Sequence, residues 1–393
     1  MIGETPHTFS DEIIRQGRVG LLCNQTAFNP ADAEYLFQTL DRRGSLKRLF
    51  VPEHGLFSEL QDQVTLDSTQ VYAALGLSCE IVSLYGSKAG SVRPVHRELT
   101  DLDALIIDLP HVGSRYFTYI TTMGYLFEEL AGSNSSLAVF VVDYANPAGR
   151  QVEGIPLAEE YASFVGYRGI PHRYGLTMGE LARVIRHDLG GTFDLRIVSP
   201  DWLGGRLDAG AIAPSPNLPT AVTPLLYSGQ CLWEATNLSE GRGTTRPFEI
   251  FGAPYLSWPD GRWPKAAGSV LRPVLFMPVF DRYAGEICRG FQLHLTGEPY
   301  HSLAHSLRLI RHAREVAGDD FGWRPGAFEK GSTRTALEVL AGDSTLIDYL
   351  NGRCGYQAVQ TALADGESAW MKKTKPFLAQ REPLTRVSRS VIS

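Results

Sequence analysis

Five short apolar runs, each broken by a polar or turn-forming residue, constrain this chain more than any other feature. They are "RVGLLCNQT", "LKRLFVPEHG", "CEIVSLYG", "DALIIDLP" and "LAVFVVDYANP". Their apolar residues are consecutive rather than alternating, the pattern of strands covered on both faces. Amphipathic segments separate them. "NPADAEYLFQTLDRRG" is expected to be a helix capped by Asn29, with Pro30 in its first turn. "RYFTYITTMGYLFEELAG" is expected to be one ended by Gly132. Strands alternating with helices predict an α/β fold built on a mainly parallel, Rossmann-like sheet.

The second half changes texture. "LTMGELARVIRHDLG" predicts a helix with Thr177 as N-cap and Glu180 closing a capping box, and "FDLRIVSP" predicts a sixth strand. A long Pro- and Gly-rich tract from Pro214 to Pro254 is expected to be irregular and to line a site. Beyond it, "VLFMPVF" and "GFQLHLTG" predict strands, and 301–316 and 333–351 predict helices. These give a second, smaller α+β domain. The expected division is 1–255 for the Rossmann-like domain and 256–393 for the smaller one.

Several function classes lose support. The net charge of −6, with no long basic stripe, gives no electrostatic reason to expect nucleic acid. No GxGxxG follows the first strand and no GxxxxGK[ST] occurs, so the sheet is expected to work without a nucleotide cofactor; "YGSKAGS" reads as plain turns. No GxSxG elbow supports serine hydrolase chemistry. Cys23, Cys79, Cys231, Cys288 and Cys354 are scattered and odd in number, as expected of unpaired thiols. His301 and His305 share a helical face without a third ligand, so no metal is expected, and Arg308, Arg311 and Arg314 read as that helix's wet side. The first residues lack the apolar core of a signal peptide, which points to the cytoplasm for the sequence as written. A leader removed upstream would point instead to the periplasm or to secretion.

Polar residues collect where the strands end. The first run leads into Asn24, the second into Glu53 and His54, the fourth into Asp108, His111, Arg115, Tyr116 and Tyr119, and the fifth into Asp143 and Asn146. Ligands of open α/β sheets bind outside the carboxyl ends of the strands, so these groups are expected to share a pocket. "NLSEGRGTT" adds Glu240 and Arg242, suited to a sugar or an anion.

Read together, "VPEHGLFSELQ", "VGSRYFTY", "DYANPAG", "SFVGYRGIPHRYGLTMGELA", "PSPNLPT" and "NLSEGRGTTRPFEIFGAP" resemble the exo-β-N-acetylmuramidases of glycoside hydrolase family 171, formerly a domain of unknown function. The resemblance implies release of N-acetylmuramic acid from the non-reducing end of peptidoglycan fragments, a role in cell-wall recycling, and an active site in the cleft between two domains. It carries the PEHG glutamate over to Glu53 as leading catalytic residue. Glu240, Asp108 and Asp143 compete as the second carboxylate, and His54 is a tuning group. Asn217 and Asn237, inside the matching motifs, join Asn24, Arg115, Tyr119, Asp143, Asn146 and Arg242 as candidate sugar contacts. Arg115 or Arg242 could pair with the lactyl carboxylate. The chain departs from the family where Gln-Asp is usual and Pro110-His111 stands, and where Arg-Pro-Asn-Pro is usual and Tyr144-Ala145-Asn146-Pro147 stands. Those departures keep open a related amino-sugar hydrolase, and a non-catalytic sugar-binding protein is the further alternative.

Overall fold

The computed structural model describes residues 17–60, 71–85, 92–133, 135, 137–203, 207, 211–257, 262–329 and 332–378. The glycines of "YGSKAGS" and the extreme N-terminus lie outside them. In chain order the elements begin with β1 (Val19–Cys23), a small hairpin of β2 (Phe28–Asn29) and β3 (Glu34–Tyr35), α1 (Leu36–Arg42) and β4 (Leu46–Val51). Next come β5 (Glu80–Ser83), β6 (Ala104–Asp108), α2 (Tyr119–Gly132), β7 (Ala138–Val142), α3 (Met178–Asp188) and β8 (Asp194–Val198). The remainder holds α4 (Thr223–Gln230), β9 (Ile250–Ala253), β10 (Ser269–Phe276), β11 (Cys288–Leu295), α5 (Ser302–Ala317), α6 (Ala336–Ala341), α7 (Ser344–Asn351) and α8 (Tyr356–Thr374).

Six strands form a wholly parallel sheet in the order β5-β4-β1-β6-β7-β8. From β1 the chain winds outward in one direction through β4 and β5, then in the other through β6, β7 and β8. This is the doubly wound, Rossmann-like arrangement, and its switch point lies between β1 and β6. Side chains alternate between two cores. Leu22, Leu105 and Ile107 enter one, while Val19, Leu21, Cys23, Ala104 and Ile106 enter the other. Because both faces are covered, the strands read as unbroken apolar runs. β9, β10 and β11 make a smaller antiparallel sheet in the order β10-β11-β9, so this second sheet takes one strand from just before residue 255.

Some local expectations are corrected. The first helix begins at Leu36 rather than near Pro30. Asn29 instead accepts from the Ala31 amide at 2.9 Å and donates to Asp32 at 2.7 Å, closing a turn whose flanks pair as β2 and β3. The segment 333–351 splits at Gly342, which adopts φ +59° before Asp343 caps α7. The tract from Pro214 contains α4, and the nineteen-residue α8 escaped the sequence reading. The Thr177–Glu180 capping box is present as expected. The five cysteines are thiols rather than disulfides. His301 caps α5, and His305 bonds to Tyr300 and the Pro264 carbonyl. Arg311 and Arg314 donate to the Tyr349 and Leu350 carbonyls in the last turn of α7, so they tie two helices together.

The two halves share one interior. The core above the sheet contains Met123, Leu126, Phe127 and Leu181, and it continues through Trp233, Phe251, Leu307, Leu340 and Trp370. α4 meets α5 so closely that a side chain at Gly229 would strike the Ser302 carbonyl, and Ser302 bonds to Leu226 O at 2.6 Å. Buried charge is concentrated at this seam. Glu153, wholly buried, accepts from Arg173 at 2.7 Å, Ser228 at 2.8 Å and the Leu303 amide at 2.9 Å. Arg115, also wholly buried, donates to Ile155 O, Leu340 O and Ala341 O. His111, past β6, accepts from Tyr174 Oη at 2.6 Å and donates to Tyr144 O at 3.0 Å, and burial lowers it to about 4.

Glu153→Ala leaves the Arg173 guanidinium buried without its carboxylate and is expected to cost about 3–5 kcal/mol, read as a lower urea midpoint. Acid supplies the second test. His111 stays neutral in the native protein down to about 4, whereas the unfolded chain takes up its proton near 6.5. More protons are then bound by the unfolded state, so stability falls as pH drops from 6.5 towards 4. His111→Asn is expected to remove on the order of 3 kcal/mol of that fall, measured by urea unfolding at a series of pH values.

Candidate active site

Glu53 stands just beyond β4, beside the switch point, and the chain turns sharply after it. His54 has φ +70°, Gly55 φ +87° and Ser58 φ +53°. The non-glycine residues hold a conformation that costs on the order of 1–3 kcal/mol each, so the surroundings must impose it. They do so with a dense bond set. His54 Nδ1 donates to Leu60 O at 3.2 Å and the Leu60 amide returns a bond to His54 O at 3.1 Å. Glu59 accepts from Tyr72 Oη at 2.5 Å and from the Phe57 amide at 2.9 Å, and lies so close to Gly55 that any β-carbon there would collide with it. Since a carbonyl can only accept, this bond places a ring hydrogen on His54 Nδ1.

The Glu53 carboxylate is held by one oxygen. Thr118, the N-cap residue of α2, donates to Oε2 at 2.5 Å, and Tyr119 donates to the Glu53 carbonyl at 3.2 Å. Oε1 has no bond among the described residues, and Glu53 is 8 % exposed. It lines a pocket that is partly open to solvent. His54, Tyr116, Phe117 and Thr118 line it from the parallel-sheet side. Asn217 and Leu218 line it from the tract after β8, and Tyr227, Cys231, Glu234, Arg242, Phe248 and Leu340 from the second half.

The pocket thus brings together Glu53, His54, Asn217 and Arg242 of the sequence candidates. The others lie behind it. Asp108 is fully buried and accepts from Tyr144 Oη at 2.6 Å. Asn24 donates to Tyr119 Oη at 3.3 Å and holds Thr26, so both Asn24 and Tyr119 brace the strand ends. Asp143 caps α3 through the Gly179 amide at 2.7 Å. Asn146 bonds to Leu176 O and the Ala148 amide within its own turn. Asn237 holds Asp320 O and Tyr255 Oη. Arg115 is wholly buried outside the lining and directs its terminal nitrogens at backbone carbonyls and His172, so it does not reach a lactyl carboxylate in the pocket.

Glu240 is also spent. Its carboxylate lies between Arg282 at 2.7 Å and Arg242 at 3.1 Å, 1 % exposed and outside the pocket lining. Burial pushes it up to about 7 although both guanidinium groups pull the other way. The acid that does face the pocket is Glu234, which the sequence reading passed over. Arg242 Nη2 donates to its Oε1 at 2.9 Å, and Cys231 Sγ lies 3.8 Å from the same oxygen. A signal was available: Tyr227, Cys231 and Glu234 are spaced four and three apart along α4 and its continuing 3₁₀ turn, so an acid shares a face with two pocket residues. A further acid, Glu329, accepts from the Val165 amide at 2.9 Å. Burial raises it, and the nearby charge of Glu53 adds to the rise.

The departures from the family pattern fall outside this lining. His111 and Tyr144 bond to each other and to Tyr174 and Asp108 behind the strand ends.

Comparison with known proteins agrees with the geometry. Residues 19–222 match the family described as "Exo-beta-N-acetylmuramidase NamZ, N-terminal", and residues 225–379 match "Exo-beta-N-acetylmuramidase NamZ, C-terminal". The chain is 32 % identical over 340 residues to the peptidoglycan beta-N-acetylmuramidase NamZ of Bacillus subtilis (strain 168), covering 82 % of this chain and 80 % of that one. Crystal structures of two DUF1343 family proteins from Bacteroides fragilis NCTC 9343 share the fold, with TM-scores of 0.73 and 0.69 at 23 % and 22 % identity; each alignment covers 94 % of this chain and 96 % of the other. With both of its halves matched in order, the chain belongs to the NamZ exo-β-N-acetylmuramidase family.

Proposed function

We propose that this protein is a glycoside hydrolase that releases N-acetylmuramic acid from the non-reducing end of peptidoglycan fragments, with Glu53 as its general acid. One observation carries the assignment: a carboxyl group just past the end of β4, beside the switch point, held at one oxygen by Thr118 and lining the pocket between the two halves. Glycosidic cleavage needs a proton on the departing oxygen as the bond to the anomeric carbon breaks. A carboxyl group locked in one rotamer can deliver that proton without first reorganising.

The pocket lies at the seam of the two halves, and its walls come from both. This supports an active site in the cleft between a parallel-sheet domain and a smaller domain. Phe117, Leu218, Phe248 and Phe328 supply apolar wall against which a pyranose ring can pack, and Asn217 and Arg242 supply polar contacts. Arg242 is the only one of the two arginines singled out in the sequence that reaches this space, so it is the group we assign to the lactyl carboxylate. The residues that differ from the family lie away from the lining, which favours the muramide over a related amino sugar.

Glu53→Gln is expected to lower kcat on a MurNAc-GlcNAc disaccharide by about 10³-fold with an unchanged melting temperature; turnover near wild type would remove Glu53 from the chemistry. Selectivity is the second check. Wild-type protein is expected to prefer nitrophenyl N-acetylmuramide to nitrophenyl N-acetylglucosaminide, and Arg242→Ala to erode that preference mainly through KM. A preference for the glucosaminide would favour the related amino-sugar hydrolase, and tight binding without product would favour a sugar-binding protein.

A further inference from the structure

We infer that Glu234 is the second reacting carboxylate of this site, receiving the proton of the nucleophile that attacks the anomeric carbon. The inference rests on the muramidase reading above and assigns the role that Glu240, Asp108 and Asp143 are placed too far back to fill.

Two carboxylates among the described residues line the pocket, Glu53 and Glu234, one from each half of the chain. Glu53 comes from the end of a parallel strand; Glu234 comes from the 3₁₀ turn that continues α4. Their anchoring follows one pattern. Glu53 is held at Oε2 by Thr118, and Glu234 at Oε1 by Arg242, while the remaining oxygen of each has no bond among the described residues. Glu234 is 8 % exposed, equal to Glu53, and its backbone carbonyl is pinned by Arg282 at 2.8 Å. The turn that carries it therefore has little freedom to withdraw.

Glu240 explains why Arg242 holds its place. Arg242 lies over the Phe248 ring at 5.0 Å, with Glu234 on one edge and Glu240 on another. Arg282, rising from the loop before β11, clamps the far side of Glu240. In this chain of alternating charge Arg282 and Glu240 lie outside the pocket lining, and Glu234 is the carboxylate that reaches it beside Arg242. Most glycosidases work with a pair of carboxyl groups flanking the scissile bond. In the step itself Glu53 gives its proton to the departing oxygen, which leaves with the electron pair of the broken C–O bond. Water forms the new bond to the anomeric carbon and loses its proton to Glu234. Exchange with solvent then returns both groups to their starting states.

Paired substrates separate the two roles. A nitrophenyl leaving group departs without protonation, whereas the sugar of a MurNAc-GlcNAc disaccharide needs it. Glu53→Gln should therefore lose much more activity on the disaccharide than on nitrophenyl N-acetylmuramide. Glu234→Gln should lose on the order of 100-fold or more on both alike, with KM little changed and with the acidic limb of the kcat/KM profile gone. Sodium azide should restore part of the turnover of Glu234→Ala. Glu234→Gln activity within a few-fold of wild type would overturn the inference. So would loss of turnover together with loss of the melting transition, which marks a purely structural salt bridge. Wild-type protein that cleaves neither substrate would overturn the muramidase reading itself, a result visible without any Glu234 variant.

Discussion

A guanidinium with no carboxylate partner among the described residues holds the two halves of this molecule together. Arg115 is wholly buried between the parallel-sheet half and the C-terminal helices, and burial pulls its pKa down. The cost of burying it is offset by carbonyl oxygens: Leu340 and Ala341 end α6, where the helix dipole concentrates negative potential, and Ile155 adds a third. The consequence for function is immediate, because the next three residues, Tyr116, Phe117 and Thr118, line the pocket, and Thr118 holds Glu53. Tyr116 repeats the tie by donating to Leu340 O at 3.1 Å. The same contact that joins the two halves therefore sets the position of the carboxyl group proposed as the acid.

Around that joint the interior is arranged so that charge is either compensated or kept neutral. Glu153 and Arg173 pair beside it, with Ser228 and the Leu303 amide completing the carboxylate's shell. His172, three ångström from Arg115, is driven well below the usual histidine range by burial and by that cation. Its neutrality removes a repulsion the seam could not tolerate. The pocket side is built differently: Glu53 and Glu234 each keep one oxygen unbonded among the described residues.

Much of this was legible in the residues. Consecutive apolar runs with helices between them are what a parallel sheet covered on both faces demands, and each of the six strands falls where a run stood. Strand ends pointed to Glu53 and His54 because the switch point gathers groups there. The same rule overcounted, since Asp143 looks identical in sequence yet caps α3. What separates the two is the local turn: positive φ at His54 and Gly55 turns the chain back beside Glu53, whereas after Asp143 the chain leads to an amide that needs an acceptor. Glu234 was hidden because α4 and its 3₁₀ extension lie inside a tract punctuated by proline and glycine. α8 was hidden because its buried face is sparse, with only Val359, Leu363, Gly366, Trp370 and Thr374 turned inward among alanine and charged neighbours.

The central claim is positional: one sugar ring lies between Glu53 and Glu234 at the end of the parallel sheet. A crystal structure of the protein with N-acetylmuramic acid tests it most directly. The account predicts the ring in the pocket against Phe117 and Phe248, its anomeric oxygen within hydrogen-bond distance of Glu53 and its lactyl carboxylate on Arg242. A sugar bound elsewhere, or turned so that its anomeric carbon faces away from Glu53, would contradict it.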